Sequence, residues 1–242
     1  RTARPARPHS RNIDMPLLGP AAMLLSFDIA EEAIPEHDEW HTHEHLPERL
    51  SIPGFLRGTR WVSSNAKPRY FVMYEVAQLA TLQSDAYLER LNRPSPWTSR
   101  MMAHYRGMNR GFCSVSGSLG TGIGQAGLLI RFKPEPGAEP SLRSWLLDDV
   151  LPPLTSRRGL GSAHLFEGAS TPRMTNEQRL RGADAAVDWA VFVTGYDEAE
   201  LEALMHADLG RDRFEKHGGV SVGEAVYRMH FMLTDREVRA RP

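Results

Sequence analysis

Apolar and polar positions follow two periods along this chain, and the switches between them mark out its elements. MLLSFDI (23–29) reads as a strand, and so does RYFVMYEV (69–76), which is rich in β-branched and aromatic residues. Between them, residues 31–50 carry helical spacing, with a break expected near Pro47 because proline offers no amide to the helix. Pro53-Gly54 is a strong breaker pair, and PGFLRGTRWVSS turns there into another strand. LATLQSDAYLERL (79–91) sets Leu79, Leu82, Leu88 and Leu91 at helical spacing, and RGFCSV (110–115) reads as a closing strand. The rest of the chain repeats that order as AGLLIRF, a helix from Leu142, GLGSAHLF, WAVFVTGY, the helix EAELEALMHADL, and EAVYRMHFML.

The repetition extends to individual residues. WHTHEHLPERLSIPGFLRGTRW (40–61) aligns without a gap on WLLDDVLPPLTSRRGLGSAHLF (145–166). Trp40 meets Trp145, Leu46-Pro47 meets Leu151-Pro152, and Gly54-Phe55 meets Gly159-Leu160. Two βαββαβ units are two ferredoxin-like modules. The predicted class is therefore α+β, with two tandem modules whose antiparallel sheets cover each other as a barrel-like pseudo-dimer. The expected boundaries are an arm over 1–20, module 1 over 21–116, a Gly-rich linker over 117–126, and module 2 over 127–235. Gly122-Ile-Gly124-Gln-Ala-Gly127 in that linker matches GxGxxG, but a strand follows where a dinucleotide site needs a helix. The loop 167–188 is much longer than its first-half counterpart, 64–68, and is expected to be an ordered lid.

Composition narrows the function classes. Net charge is −1, which gives no electrostatic case for nucleic acid or an anionic membrane. The single cysteine excludes an internal disulfide and fits a reducing compartment, so a cytoplasmic setting is expected. PLLGPAAMLLSF follows four arginines, but Pro16 and Gly19-Pro20 interrupt it and it is too short to span a bilayer.

HTHEH (41–45) holds three of the ten histidines. The repeat sorts them: Leu146 matches His41, Asp148 matches His43, and Val150 matches His45. A helix with Leu, Asp and Val there buries the first and third and wets the second. His41 and His45 are therefore expected to face inward and His43 outward. Paired imidazoles in a cleft, with a reference pKa of ~6.5, suit proton transfer near neutrality. His-x₃-His also suits two metal ligands, but no spacing nominates a third or fourth, so neither a metal nor another cofactor is expected.

Trp40-His41-x₃-His45-Leu-Pro47 followed by Ile52-Pro53-Gly54-Phe55, with RPSPWTSRMMAHY (93–105) beyond, resembles the dimeric α/β-barrel superfamily, EthD-like members above all. The resemblance covers most of the first half and places the family histidine at His45. His41 stands where an aromatic residue is usual, so no single member's chemistry carries over. It implies a cofactor-independent enzyme (isomerase, cyclase, lyase or monooxygenase type) acting on a small aromatic or carbonyl-bearing molecule. His45 is the expected acid–base group and His41 its partner, with Trp40, Tyr74 and Arg60 binding substrate. Two alternatives stay open, a non-catalytic small-molecule-binding protein and a haem-binding member. A homo-oligomer is compatible with either.

Overall fold

A computed structural model describes residues 15–169, 175–181 and 184–240 of the chain. The Arg-rich part of the expected arm, 1–14, lies outside the described residues, as do 170–174 and 182–183 of the expected lid. Among the described residues, eight antiparallel strands close into a barrel.

In the first half β1 (Ala21–Ile29) is flanked by β3 (Tyr70–Val76) and β4 (Tyr105–Gly120), and β2 (Phe55–Val62) lies outside β3. In the second, β5 (Ala126–Pro134) is flanked by β8 (Trp189–Gly195) and β9 (Gly219–Thr234), and β6 (Leu160–Ala169) lies outside β8. Two seams close the barrel, β2 on β9 and β4 on β6. A two-residue strand, β7 (Ala185–Ala186), adds to β4 in parallel at Asn109 and Arg110.

Strands β1, β3, β5 and β8 are buried on both faces over most of their length, which is why they read as nearly continuous apolar runs. Side chains alternate across a strand. Ala22, Leu24, Phe71 and Met73 therefore point into the barrel, while Met23, Phe27, Tyr70, Val72 and Tyr74 point out beneath the helices. The barrel interior is filled, with Trp61 and Phe71 both packed edge-on against Phe192 at centroid distances of 5.1 and 5.2 Å. The space that matters lies between sheet and helices.

The first helix, α1, runs over 34–50 and is widened rather than broken at the expected point. Its α-turns Ile34–Trp40 and Leu46–Leu50 flank a π segment, His41–His45, in which the amide of Leu46 donates to the carbonyl of His41. Pro47 explains this: its ring has no N–H and would strike the carbonyl four residues back, so the preceding turn opens. In the second half α4, over 139–154, does the same at Trp145–Val150, with Leu151 donating to Leu146 ahead of Pro152.

Three other expectations change. The helix over 79–91 divides into a 3-10 turn, Leu79–Gln83, and α2 (Asp85–Asn92), because Ser84 is extended and its hydroxyl accepts from the amide of Tyr87. A further helix, α3 (Pro96–Met102), follows it. The linker is shorter than 117–126, since β4 continues through Gly120 on β6. Its glycines serve contact: a Cβ on Gly117 would stand 2.3 Å from the Leu147 side chain, and one on Gly124 would stand 2.1 Å from the Gly195 carbonyl oxygen.

Candidate functional site

The sequence of α1 puts histidine at 37, 41 and 45, and all three face the sheet, with His43 exposed. An α-helix swings every fourth residue about 40° further around its axis. The wider π turn takes back part of that swing, which keeps His45 over the sheet with the other two. The rings form a row, 5.5 Å from His37 to His41 and 5.5 Å from His41 to His45 between centroids. His37 was missed in the sequence, although extending the repeat upstream sets it against Leu142, which is buried.

His41 and His45 line a cavity of about 30 Å³, together with Tyr74 of β3, Tyr105 of β4 and Arg49 at the end of α1. That is room for one or two waters. Three polar atoms at this cavity are buried and have no partner in the protein: His41 Nδ1, His45 Nδ1 and Tyr74 Oη. Buried polar atoms in native proteins nearly always have partners, so these three mark a place that receives something polar.

Burial pushes both imidazoles well below their ordinary pKa, helped by His37 and His45 around His41 and by the Arg49 guanidinium beside His45. Burial likewise pushes the Tyr74 and Tyr105 phenols up. At neutral pH the cavity wall therefore holds neutral bases and neutral hydroxyls.

Arg49 supplies the charge. It is 1% exposed and bonds Glu177, itself 2% exposed, while its other arm donates to Glu48 at 3.3 Å. Burial is the largest influence and works against the guanidinium, but Glu177, Tyr87, Glu48 and Tyr74 together outweigh it and hold the pKa above the ordinary arginine value. Glu177 comes from α5 (Asn176–Arg181), inside the expected lid. That helix covers the cavity: Glu177 and Arg181 form part of its wall, and the Asn176 side-chain amide donates to the Asn92 carbonyl on α2 at 2.8 Å. Arg181 and Arg110 both engage Asp184, at 2.8 and 3.0 Å.

Of the residues expected to bind substrate, Tyr74 lines the cavity and two do not. Trp40 backs the histidines, 4.4 Å from the His45 ring, with its indole N–H donating to Glu44 and Thr98. Arg60 lies beyond α1, donating to the Asp38 carbonyl at 3.1 Å, to Thr42 Oγ1 at 3.0 Å and to His230 Nδ1 at 3.2 Å.

As it stands the cavity is too small for a haem or for any other ring-sized ligand, so either would need the wall to move. Among the described residues, no three His, Cys, Asp or Glu side chains converge as metal ligands do. Nor, among them, is any helix long and apolar enough to cross a membrane.

No protein-family model and no curated protein sequence matches the chain. Solved structures do resemble it. An anthrone oxidase-like protein superposes with a TM-score of 0.64 at 11% identity, covering 89% of this chain and 92% of its own. A candidate monooxygenase from Fusobacterium nucleatum subsp. nucleatum gives 0.56 at 9% identity, over 90% and 96%. A mutant chlorite dismutase from Candidatus Nitrospira defluvii gives 0.53 at 11% identity, over 90% and 94%. At such identities the likeness establishes a shared fold, and the α+β barrel implied by the sequence resemblance is the architecture found.

Proposed function

We propose that the protein is a cofactor-independent enzyme that moves a proton on a small aromatic or carbonyl-bearing molecule, as an isomerase, cyclase, lyase or monooxygenase of that kind does. The observation that carries this is the pair of unpartnered imidazoles facing a cavity walled by an unpartnered tyrosine and a buried arginine. His45, seconded by His41, takes a proton from an acidic C–H or O–H. The anion left behind lies against the Arg49 guanidinium and the Tyr74 hydroxyl, where a fixed charge in a dry site acts strongly. A neutral base and a neutral acid thereby become an adjacent ion pair, the arrangement a low-dielectric site tolerates best. Because the imidazolium is disfavoured by burial, it gives the proton back readily, as a rearrangement requires.

The aromatic and methionine lining, with Phe27, Met23, Met102 and Met108, suits a flat apolar substrate, and methionines repack around irregular shapes. Entry requires α5 to move away from α2. The anthrone oxidase-like neighbour supports an enolisable aryl ketone as the substrate class, and the oxygenase-type neighbours support enzymatic rather than passive use of the fold. In this reading the halves, 21–116 and 127–235, are copies of one βαββαβ module, the first bearing the site and the second serving as scaffold. The small, buried lining also favours a second reading, a carrier that holds its ligand without turning it over.

Solvent-deuterium exchange into a panel of enolisable aryl ketones, anthrone among them, tests the proposal. The protein should accelerate exchange, and His45→Gln should remove at least nine-tenths of the acceleration. Tight binding of a panel member with no exchange would favour the carrier.

A further inference from the structure

His37 plays no part in the chemistry assigned above, yet it is closely enclosed. It is fully buried, boxed by Phe27, Trp40, Tyr70 and Tyr105 with ring centroids 4.6–5.8 Å away. Its Nδ1 lies 3.1 Å from Asp38 Oδ1, so Nδ1–H donates to the carboxylate and Nε2 carries the lone pair. Nε2 in turn lies 3.5 Å from the hydroxyl of Tyr105, a residue that lines the cavity. Such a contact is long, as those between catalytic groups often are before substrate tightens them. The same Asp38 oxygen accepts from the Tyr70 hydroxyl at 3.0 Å and lies 3.8 Å from Arg60 Nε, and Asp38 is 25% exposed.

We propose that Tyr105, His37 and Asp38 form a proton relay that takes the proton released in the cavity and holds it on His37, against the partly exposed Asp38 carboxylate, until it is needed again. The proposal rests on the acid–base reading above and adds where the proton resides. Tyr105 Oη accepts a proton from the cavity as its own O–H proton passes to His37 Nε2. The resulting imidazolium is paired with the Asp38 carboxylate, and the reverse steps return the proton to the product. His37 is the member of the row with a carboxylate against its ring, so it is the one equipped to bear positive charge. Burial lowers the pKa of all three imidazoles, but at His37 the Asp38 contact opposes it. His37 and Asp38 act through Tyr105 and are positioning residues.

The experiment combines a spectroscopic and a kinetic arm on the full chain. With ¹⁵N-labelled histidine, His37 should appear as the Nδ1–H tautomer, Tyr105→Phe should shift its Nε2 resonance, and Asp38→Asn should abolish the tautomer preference. An Nε2–H tautomer, or an Nε2 blind to Tyr105→Phe, overturns the relay. With anthrone as probe, Tyr105→Phe and Asp38→Asn should each slow deuterium exchange at least tenfold at unchanged KM. Free imidazole should restore part of the rate to His37→Ala, and if that variant does not fold, Asp38→Asn decides. Exchange lost in His45→Gln but retained in Tyr105→Phe and Asp38→Asn overturns the relay and leaves the proposed function standing. No exchange by the parent protein with any ketone overturns the reading the relay rests on, and the relay with it.

Discussion

The helices over 34–50 and 139–154 are framed alike and faced differently. Each starts on α-turns, opens into a π segment ahead of a proline, and buries a tryptophan at the same position, Trp40 or Trp145. Toward the sheet the first presents His37, His41, His45 and Arg49, while the second presents Leu142, Leu146, Val150 and Leu154, all buried. The π segment thus belongs to the proline-bearing frame and would be there without any chemistry. Function, in this account, lies in four side chains laid on a common scaffold. Those four need partners that aliphatic side chains do not, and the long segment carrying Glu177 has no counterpart in the first half.

The largest effect should come from making the first face resemble the second at Arg49. Arg49→Leu leaves Glu177 buried without its partner, and breaking a buried pair from one side costs about 3–5 kcal/mol. Urea denaturation should show a loss of that order, and Arg49→Leu with Glu177→Leu should recover most of it. A double variant as unstable as the single would mean that the pair is not what couples α5 to α1.

The converse graft should cost less. Leu146→His puts an imidazole into a fully buried apolar cluster and should destabilise by about 2–3 kcal/mol through an unsatisfied buried group. His41→Leu removes such a group, so its stability should stay within about 1 kcal/mol of the parent or rise. Opposite signs for the two substitutions sharpen the comparison. Equal losses would say that the two faces are packed alike.

Acid should discriminate the two helix faces as well. His41 and His45 bind a proton less readily folded than unfolded, so the unfolded chain takes up protons first as pH falls below the ordinary value of 6.5. Their contribution is whole above that pH and is lost as pH falls from there toward the folded values. Each such group gives a slope of about 1.4 kcal/mol per pH unit within that window. His41→Leu should remove one group's share of the slope, measured as unfolding free energy between pH 6.5 and 5. The smallest effect belongs to His43→Ala: on the exposed face it should change stability by less than about 0.5 kcal/mol.

Much of this arrangement was legible in the sequence, for reasons that differ by residue. Strands β1, β3, β5 and β8 showed because they are buried on both faces, and the inward orientation of His41 and His45 showed because Leu146 and Val150 align with them in the sequence. The same alignment set Arg49 against Leu154, a signal available but not drawn out. The length of β4 was hidden because Gly117 and Gly120 resemble a linker, whereas the barrel needs them for close approach to Leu147 and β6. Glu177 had no local signature. It reaches Arg49 across 128 residues from a segment without a counterpart, and only the fold brings the two together.

The central claim is that His41 and His45 are neutral bases facing a cavity, and their titration by NMR in the folded full chain tests it most directly. Both resonances should stay in the neutral form from pH 8 down to the pH at which the protein unfolds. A folded-state midpoint near 6.5 for either would mean that it meets water freely, which would contradict the account.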